Sequence, residues 1–366
     1  MAVTAWEVEG DIDYAKMIKQ FGTQPMTESL AGRLKKPLPN FIRRGALFSH
    51  RDLDKWLAAA ESGKKITILT GRGPSNKMHI GHLLLYELAK YFQDAYGCRV
   101  YIPVSDDEKF FVKEGLSVED VEKVAHDNII DILAMGFDPK NTLVFMDFKY
   151  TKIYRHAAEV AKHMTYSMAK ATFGLKPEQN VGWSFYPAMQ SAHVMFPQFM
   201  EGAHNVLVPI GIDQDPFLRL TRDLTDRFKF IKPSTVYPIF LPSLSGSKMS
   251  SSAKDSDTTV IWLADDEKAV SQKIRKYAFS GGRASIEEHR KMGGNPDIDV
   301  SFQYLKYFFE DDDKKLKGME ESYKSGSLLT GELKEYLIAK INSYLKGHAK
   351  RRQDVERNLD KYMLED

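Results

Sequence analysis

The fold class is indicated first by residues 65–106, which read KITILTGRGPSNKMHIGHLLLYELAKYFQDAYGCRVYIPVSD. The segment 66–71 is apolar and β-branched and ends in glycine, which is typical of a buried strand. A glycine-containing turn and an apolar helical run to Gly97 follow, and the segment 100–106 reads as a second strand. Strand, turn, helix and strand in this order predict a right-handed parallel βαβ unit.

The same alternation continues along the chain. Ser117 and Asp120 have the spacing of a capping box, which predicts a helix from there to Met135. Further strands are predicted at 143–147 and 206–211, and further helices at 153–173 and 215–228. After Asp265 the sequence is mostly helical, and the part after Gln353 is expected to pack back on the preceding α/β domain.

We therefore predict an α/β protein with a Rossmann-like, doubly wound parallel sheet and an all-helical C-terminal domain. The predicted domains are an N-terminal extension (1–60) that packs on a Rossmann-like domain, the Rossmann-like domain itself (61–257) and the helical domain (258–366).

Composition narrows the functional classes. The 366 residues carry 52 Lys and Arg against 50 Asp and Glu, which excludes a uniformly basic nucleic-acid coat but leaves a local basic patch open. A single cysteine, Cys98, excludes an intrachain disulfide and a multi-cysteine metal site, and we expect it to be a buried thiol. The first residues lack a secretory signal, and no apolar run reaches the ~18–20 residues of a membrane helix. The expectation is a soluble, cytoplasmic protein without a membrane partner.

The first βα turn carries the strongest chemical signal. Gly71 and Gly73 allow the backbone to approach a phosphate, and ligands of open α/β sheets bind at such turns. His79 and His82 are three residues apart at a helix N-terminus, so both imidazoles lie on one face where the helix dipole favours anions. Gly81 leaves room for a flat ring. The turn is not a dinucleotide fingerprint, but its histidines and glycines predict a triphosphate site.

A second cluster, KMSSS at residues 248–252, combines a lysine with three hydroxyl groups. Such a loop could hold and release polyphosphate, although it does not match the Walker A pattern. Taken alone, it is more typical of a flexible linker between domains.

The two clusters together resemble the HIGH and KMSSS motifs of class I aminoacyl-tRNA synthetases. Further segments resemble the tryptophanyl-tRNA synthetase family of the eukaryotic and archaeal type. These segments are TGRGPS (70–75), SDDEKF (105–110), YPAMQ (186–190), GIDQDPFLRLTRD (211–223), AFSGGR (278–283), IEEHR (286–290) and LLTGELK (328–334).

The resemblance implies ATP-dependent formation of tryptophanyl-adenylate and transfer of tryptophan to tRNA(Trp). It implies that ATP arrives with Mg²⁺, which keeps most of its waters, so that no protein-held metal site is expected. The implied catalytic residues are His79, His82, Lys248, Ser250 and Ser251. The implied ATP-binding residues are Arg72, Gly73, Gly81, Lys109, Gly211, Asp213 and Met249.

The amino-acid pocket carries over in part. Glu108, Gln190 and Gln214 match positions that bind the substrate ammonium group, and their oxygens suit its N–H donors. The family places a tyrosine and a glutamine on the indole N–H, where this chain has Leu69 and Pro103. Neither of these side chains offers an acceptor, so the indole must be recognised by another side chain, a backbone carbonyl or water.

The C-terminal helices are expected to bind tRNA through Lys334, Lys350, Arg351 and Arg352, and Arg33, Lys35, Lys36, Arg43 and Arg44 could contact its acceptor arm. Basic and acidic runs, such as 33–44 and 310–313, should lie on different surfaces. A homodimer is also implied.

The alternatives for the function of the chain are a tyrosyl-specific synthetase, another nucleotidyltransferase with an HxGH site, and a non-catalytic synthetase-like RNA-binding protein.

Overall fold

The computed structural model describes residues 2–3, 8–9, 13–247, 249 and 255–366. The described strands are β1 (Ala2–Val3), β2 (Val8–Glu9), β3 (Gln24–Pro25), β4 (Leu47–Arg51), β5 (Ile66–Leu69), β6 (Arg99–Val104), β7 (Thr142–Met146), β8 (Asn205–Pro209) and β9 (Ser234–Pro238). The described α-helices are α1 (Tyr14–Phe21), α2 (Glu28–Gly32), α3 (Asn40–Arg43), α4 (Leu53–Glu61), α5 (Ile80–Tyr96), α6 (Asp106–Val112), α7 (Val118–Leu133), α8 (Lys152–Ala161), α9 (Tyr166–Phe173), α10 (Val181–Glu201), α11 (Asp215–Leu224), α12 (Ser256–Thr259), α13 (Glu267–Tyr277), α14 (Ile286–Met292), α15 (Val300–Tyr304), α16 (Asp313–Lys324) and α17 (Thr330–Glu356).

A seven-stranded sheet has the order β3-β4-β9-β8-β5-β6-β7. From β9 to β7 all neighbouring strands are parallel, whereas β4 runs antiparallel to β9 and β3 antiparallel to β4. The predicted doubly wound parallel sheet is confirmed for these five strands. Residues 24–51 do more than pack on the catalytic domain, because they add the two antiparallel strands that make the whole sheet mixed.

The parallel strands are buried on both faces, as expected for strands covered by helices on each side. Ile68 and Val100 belong to a core on one face, which continues into α5, α7 and the C-terminal helices. Leu69 and Tyr101 belong to a second core on the other face, under α8, α10 and α11. The sheet therefore passes through the middle of the catalytic region, and its strand ends emerge between two layers of helices.

The predicted helices are present with shifted limits. The capping box of α7 is confirmed, since Ser117 Oγ accepts from the Asp120 N–H (3.1 Å) and Asp120 Oδ2 accepts from the Ser117 N–H (3.0 Å). The helix predicted at 153–173 is divided into α8 and α9. Cys98 is a buried free thiol, as predicted, and burial raises its pKa to about 12.

The C-terminal part returns to the catalytic sheet. Near the end of α17, His348 Nε2 lies 3.0 Å from the carbonyl oxygen of Asp131 on α7. Beyond α17, the Val144 N–H of β7 donates to the Tyr362 carbonyl (2.8 Å), and the Leu364 N–H donates to the Val144 carbonyl (2.7 Å). The expectation that the chain after Gln353 packs back on the catalytic domain is confirmed.

Candidate active site

A cavity of about 750 Å³ opens at the carboxyl ends of β5, β6, β8 and β9. After β5 the chain continues to β6 on one side, and after β8 it continues to β9 on the other side. The strand order therefore reverses between β5 and β8. Open α/β sheets bind their ligands at that point, and the volume suits a pair of small substrates. The cavity is thus lined by the first βα turn, where the sequence predicted a triphosphate site.

The two histidines of the HIGH motif form a stacked pair at the start of α5. Their ring centroids are 3.6 Å apart and both side chains line the cavity. His82 Nδ1 accepts a hydrogen bond from the backbone N–H of His79 (3.1 Å). This contact fixes the tautomer in which His82 carries its proton on Nε2, so that His82 can donate to a ligand oxygen.

Both imidazoles are neutral at physiological pH. Burial, assisted by the nearby Arg72 guanidinium, lowers the pKa of His79 to about 3 and holds the pKa of His82 well below its usual value. A polyanion bound here is therefore met by N–H dipoles and by the α5 N-terminus, with the fixed cationic charge coming from neighbouring side chains.

Neighbouring side chains approach two glycines of the site closely. A Cβ atom at Gly81 would lie 2.8 Å from the Met249 sulfur and 3.0 Å from the His79 ring. A Cβ atom at Gly73 would lie 2.1 Å from Glu108 Oε2. The first contact also brings Met249, the second residue of the KMSSS motif, directly against the HIGH motif.

Cationic side chains surround the phosphate end of the cavity. Arg72 donates through Nε to Asn128 Oδ1, and Asn128 in turn donates to the Asn76 carbonyl (3.1 Å). Lys109 Nζ lies 2.7 Å from Glu108 Oε1. Asn128 was not singled out in the sequence, because it lies on α7, far along the chain from the turn that it holds.

The other end of the cavity offers polar groups among apolar walls. Gln190 on α10 lines it, and its buried Oε1 atom has no hydrogen-bond partner among the described residues. Such an oxygen suits an ammonium donor. Gln214 lies at the start of α11, while Leu69 and Pro103 are buried and contribute apolar wall.

Every predicted ATP- or amino-acid-binding residue that the structure describes lines this one cavity. These residues are Leu69, Arg72, Gly73, His79, Gly81, His82, Pro103, Glu108, Lys109, Gln190, Gly211, Asp213, Gln214 and Met249. Lys248, Ser250 and Ser251 lie outside the described residues, so their roles stay predictions.

His193 is among the polar residues of the cavity that sequence reasoning missed. It follows Gln190 by three residues on α10, and the spacing of facing residues on a helix was the available signal.

The predicted separation of basic and acidic runs is wrong. Arg43 and Arg44 both form ion pairs with Asp313, at 3.0 Å and 2.6 Å. Arg33 forms an ion pair with Glu61 (2.9 Å). These arginines connect the N-terminal segment to neighbouring helices, and each of them already pairs with a carboxylate of this chain.

The predicted tRNA-binding residues of α17 differ in their surroundings. Lys350 is exposed, and Lys334 Nζ donates to the Arg275 carbonyl (3.3 Å). Arg351 donates to the Ala134 carbonyl (2.5 Å), and Arg352 binds the carboxylates of Asp127 and Asp131 on α7. Arg351 and Arg352 thus hold α17 on the catalytic region, and Lys350 remains the better candidate for a contact with RNA.

We expect Arg352→Ala to lower the free energy of unfolding by about 2–4 kcal/mol, because it leaves the buried Asp131 carboxylate without its main partner. Lys350→Ala, the matched control on the same turn, should change the free energy of unfolding by less than ~0.5 kcal/mol. It should weaken tRNA binding at low salt instead. Denaturant unfolding measures the free energy of unfolding, and titration with tRNA measures binding. Equal stability of the two variants would contradict a role of Arg352 in holding α17 on α7.

Neither a metal cluster nor a membrane helix is found in the described part of the chain. Residues 13–247, 249 and 255–366 contain no group of three or more His, Cys, Asp or Glu side chains arranged for a metal ion. In the same ranges, no helix combines the length and apolar character needed to cross a bilayer.

Comparison with known proteins places the chain in a family. The family described as "tRNA synthetases class I (W and Y)" matches residues 61–346. The tryptophan–tRNA ligase of Sulfurisphaera tokodaii is 46% identical over 369 aligned residues, which cover 98% of this chain and 95% of that protein. The tryptophan–tRNA ligase of Thermococcus onnurineus is 45% identical, over 98% of this chain and 93% of that protein.

A solved structure agrees with the sequence comparison. The crystal structure of a tryptophanyl-tRNA synthetase from Encephalitozoon cuniculi bound to tryptophan superposes with a TM-score of 0.88 and 35% identity, covering 98% of this chain and 99% of that one. Sequence, fold and cavity agree, and the chain belongs to the tryptophanyl-tRNA synthetase family of class I aminoacyl-tRNA synthetases.

Proposed function

We propose that this chain activates L-tryptophan with ATP to form tryptophanyl-adenylate and then transfers tryptophan to tRNA(Trp). The observation that carries the proposal is the convergence of two groups of side chains in one cavity. His82, Arg72 and Lys109 suit a triphosphate, whereas Glu108, Gln190 and Gln214 suit an amino-acid ammonium group. The names of the relatives favour tryptophan over tyrosine as the substrate.

In the first step, a carboxylate oxygen of tryptophan forms a bond to the α-phosphorus of ATP. The bond from that phosphorus to the pyrophosphate oxygen breaks, and no proton needs to move. The protein therefore contributes position and charge stabilisation more than acid–base chemistry. His82 donates from Nε2 to the developing negative charge, and Arg72 and Lys109 supply cationic charge beside it.

Mg²⁺ would arrive with ATP and neutralise phosphate oxygens. Lys248, Ser250 and Ser251 would contact the leaving pyrophosphate, a role that rests on the resemblance and on the position of Met249 beside Gly81. We propose on the resemblance alone that the chain acts as a homodimer in the cytoplasm, and that Lys334 and Lys350 contact tRNA.

ATP–pyrophosphate exchange with each of the standard amino acids tests the proposal. Exchange with tryptophan alone, followed by charging of tRNA(Trp) by the same preparation, is the expected result. Exchange with tyrosine would move the specificity to the tyrosyl alternative, and no exchange with any amino acid would favour a non-catalytic RNA-binding protein.

A further inference from the structure

The indole end of the proposed tryptophan site lacks the two side-chain acceptors that the resemblance would place there. Leu69 and Pro103 occupy those positions and both are buried in the cavity wall. An indole N–H enclosed without an acceptor would cost roughly 1–3 kcal/mol, so a tryptophan site needs a substitute. The structure allows candidates for that substitute to be compared.

His193 lies on the face of α10 that borders the cavity. Tyr186, Gln190 and His193 follow one another at helical spacing, and all three line the cavity. His193 is only 4% exposed. It lies ~4.5 Å further along the helix axis than Gln190, which is comparable to the separation between the ammonium group and the ring nitrogen of tryptophan.

A buried carboxyl group holds the His193 ring. Its Nε2 atom lies 2.7 Å from Oδ1 of Asp147, which directly follows β7 and is fully buried. The Asp147 backbone is fixed in turn, because its N–H donates to Asp106 Oδ1 (2.9 Å). Among the described residues, no hydrogen bond reaches the other ring nitrogen, Nδ1.

The protonation of this cluster leaves Nδ1 as an acceptor. Burial lowers the pKa of His193 to about 4, so its ring is neutral. Burial also raises the pKa of Asp107 and Asp147 well above the usual range, and the interaction between these two carboxyl groups contributes to the shift. Asp147 Oδ1 lies 2.7 Å from His193 Nε2 and can accept from Nε2–H in either charge state of the carboxyl group, since a protonated carboxyl group still has an acceptor oxygen. The lone pair on Nδ1 is then available.

We infer that His193, oriented by Asp147, accepts the hydrogen bond of the indole N–H and so replaces the acceptors that Leu69 and Pro103 cannot provide. This inference rests on the proposed function and adds a specificity residue to the same site. Glu108 is less suited, since its carboxylate is assigned to the substrate ammonium group and also pairs with Lys109 (2.7 Å). An aromatic amino acid without a ring donor would leave Nδ1 buried and unpaired, and would therefore be disfavoured.

The test compares tryptophan with its benzothiophene analogue, in which sulfur replaces the indole N–H, in ATP–pyrophosphate exchange. Wild type should prefer tryptophan by about 10- to 100-fold in kcat/KM. His193→Leu should bring that ratio close to one, and His193→Gln, which keeps an acceptor, should restore part of it. Because both substrates are measured on one preparation, the ratio does not depend on the folded fraction.

The matched control is His204→Leu. His204 is also buried, at 3% exposure, but it bonds to Thr67 (2.8 Å) and does not line the cavity, so its variant should keep the wild-type ratio. Asp147→Asn should lower the ratio through the ring orientation of His193. An unchanged ratio in His193→Leu would overturn the inference and leave the proposed function intact. An equal loss of activity with both substrates is one form of that result. Absence of tryptophan exchange in wild type would instead refute the function, and wild-type exchange with tyrosine would overturn both.

Discussion

Replacing His82 with alanine is expected to slow tryptophan-dependent ATP–pyrophosphate exchange by about 100- to 1,000-fold, with little change in the KM for tryptophan. The reason is geometric, because His82 accepts from the His79 N–H through Nδ1 and therefore presents Nε2–H to the cavity. A donor held in a water-poor site stabilises developing phosphate charge without reorganising. Alanine removes the donor and leaves the His79 N–H without its partner.

Two variants make this result interpretable. His82→Asn keeps an amide donor and acceptor, so it should retain more activity than alanine. His126→Ala removes an exposed histidine of α7 and should leave exchange unchanged. Full exchange by a folded His82→Ala protein would show that the HIGH motif of this chain does not stabilise the triphosphate.

The second large effect is expected on stability. Asp299→Ala should lower the free energy of unfolding of the C-terminal helical region by about 3–5 kcal/mol. Asp299 is fully buried, and its carboxylate accepts from the N–H groups of Gly281 (2.9 Å), Ser301 (2.9 Å) and Phe302 (3.2 Å). The Tyr323 hydroxyl donates to it as well (2.7 Å). Removing the carboxylate leaves these donors buried and unpaired.

Urea unfolding followed by circular dichroism measures this effect. Asp297→Ala is the matched control, since Asp297 is an exposed aspartate two residues away. The Asp299 variant should also lose tRNA charging before it loses adenylate formation, because the catalytic cavity lies on the sheet. Two variants with the same unfolding midpoint would show that the carboxylate contributes nothing to the fold.

Local sequence pattern was sufficient for the central part of the fold. The strands that became β5, β6, β7 and β8 are continuous apolar runs, and such runs are typical of buried parallel strands. Helix α10 was not predicted because Pro187 and Pro197 lie inside it, and proline usually ends a helix. Strand β9 was also missed, since five residues that end in Pro238 carry little signal of their own.

The residues of the site that lie in one turn after a strand could be predicted from the sequence. The contacts between residues far apart in the sequence could not. His79, His82 and Gly81 lie within one turn, and parallel topology places that turn beside the other strand ends. The role inferred for His193 depends on Asp147, 46 residues earlier, and no local pattern joins the two. The ion pairs of Arg43 and Arg44 with Asp313 were unpredictable for the same reason.

The last residues of the sequence also cover part of the exposed edge of the sheet at β7. β7 is the last strand on its side, and an uncovered edge of this kind is a template for strands from other molecules. The chain occupies this edge itself, because Val144 is paired with Tyr362 and Leu364, and the Asp366 carboxylate accepts from the Thr151 N–H (2.9 Å) just before α8. Residues 362–364 thus cover the β7 edge at Val144, where an uncovered edge would be open to pairing with a strand of another molecule.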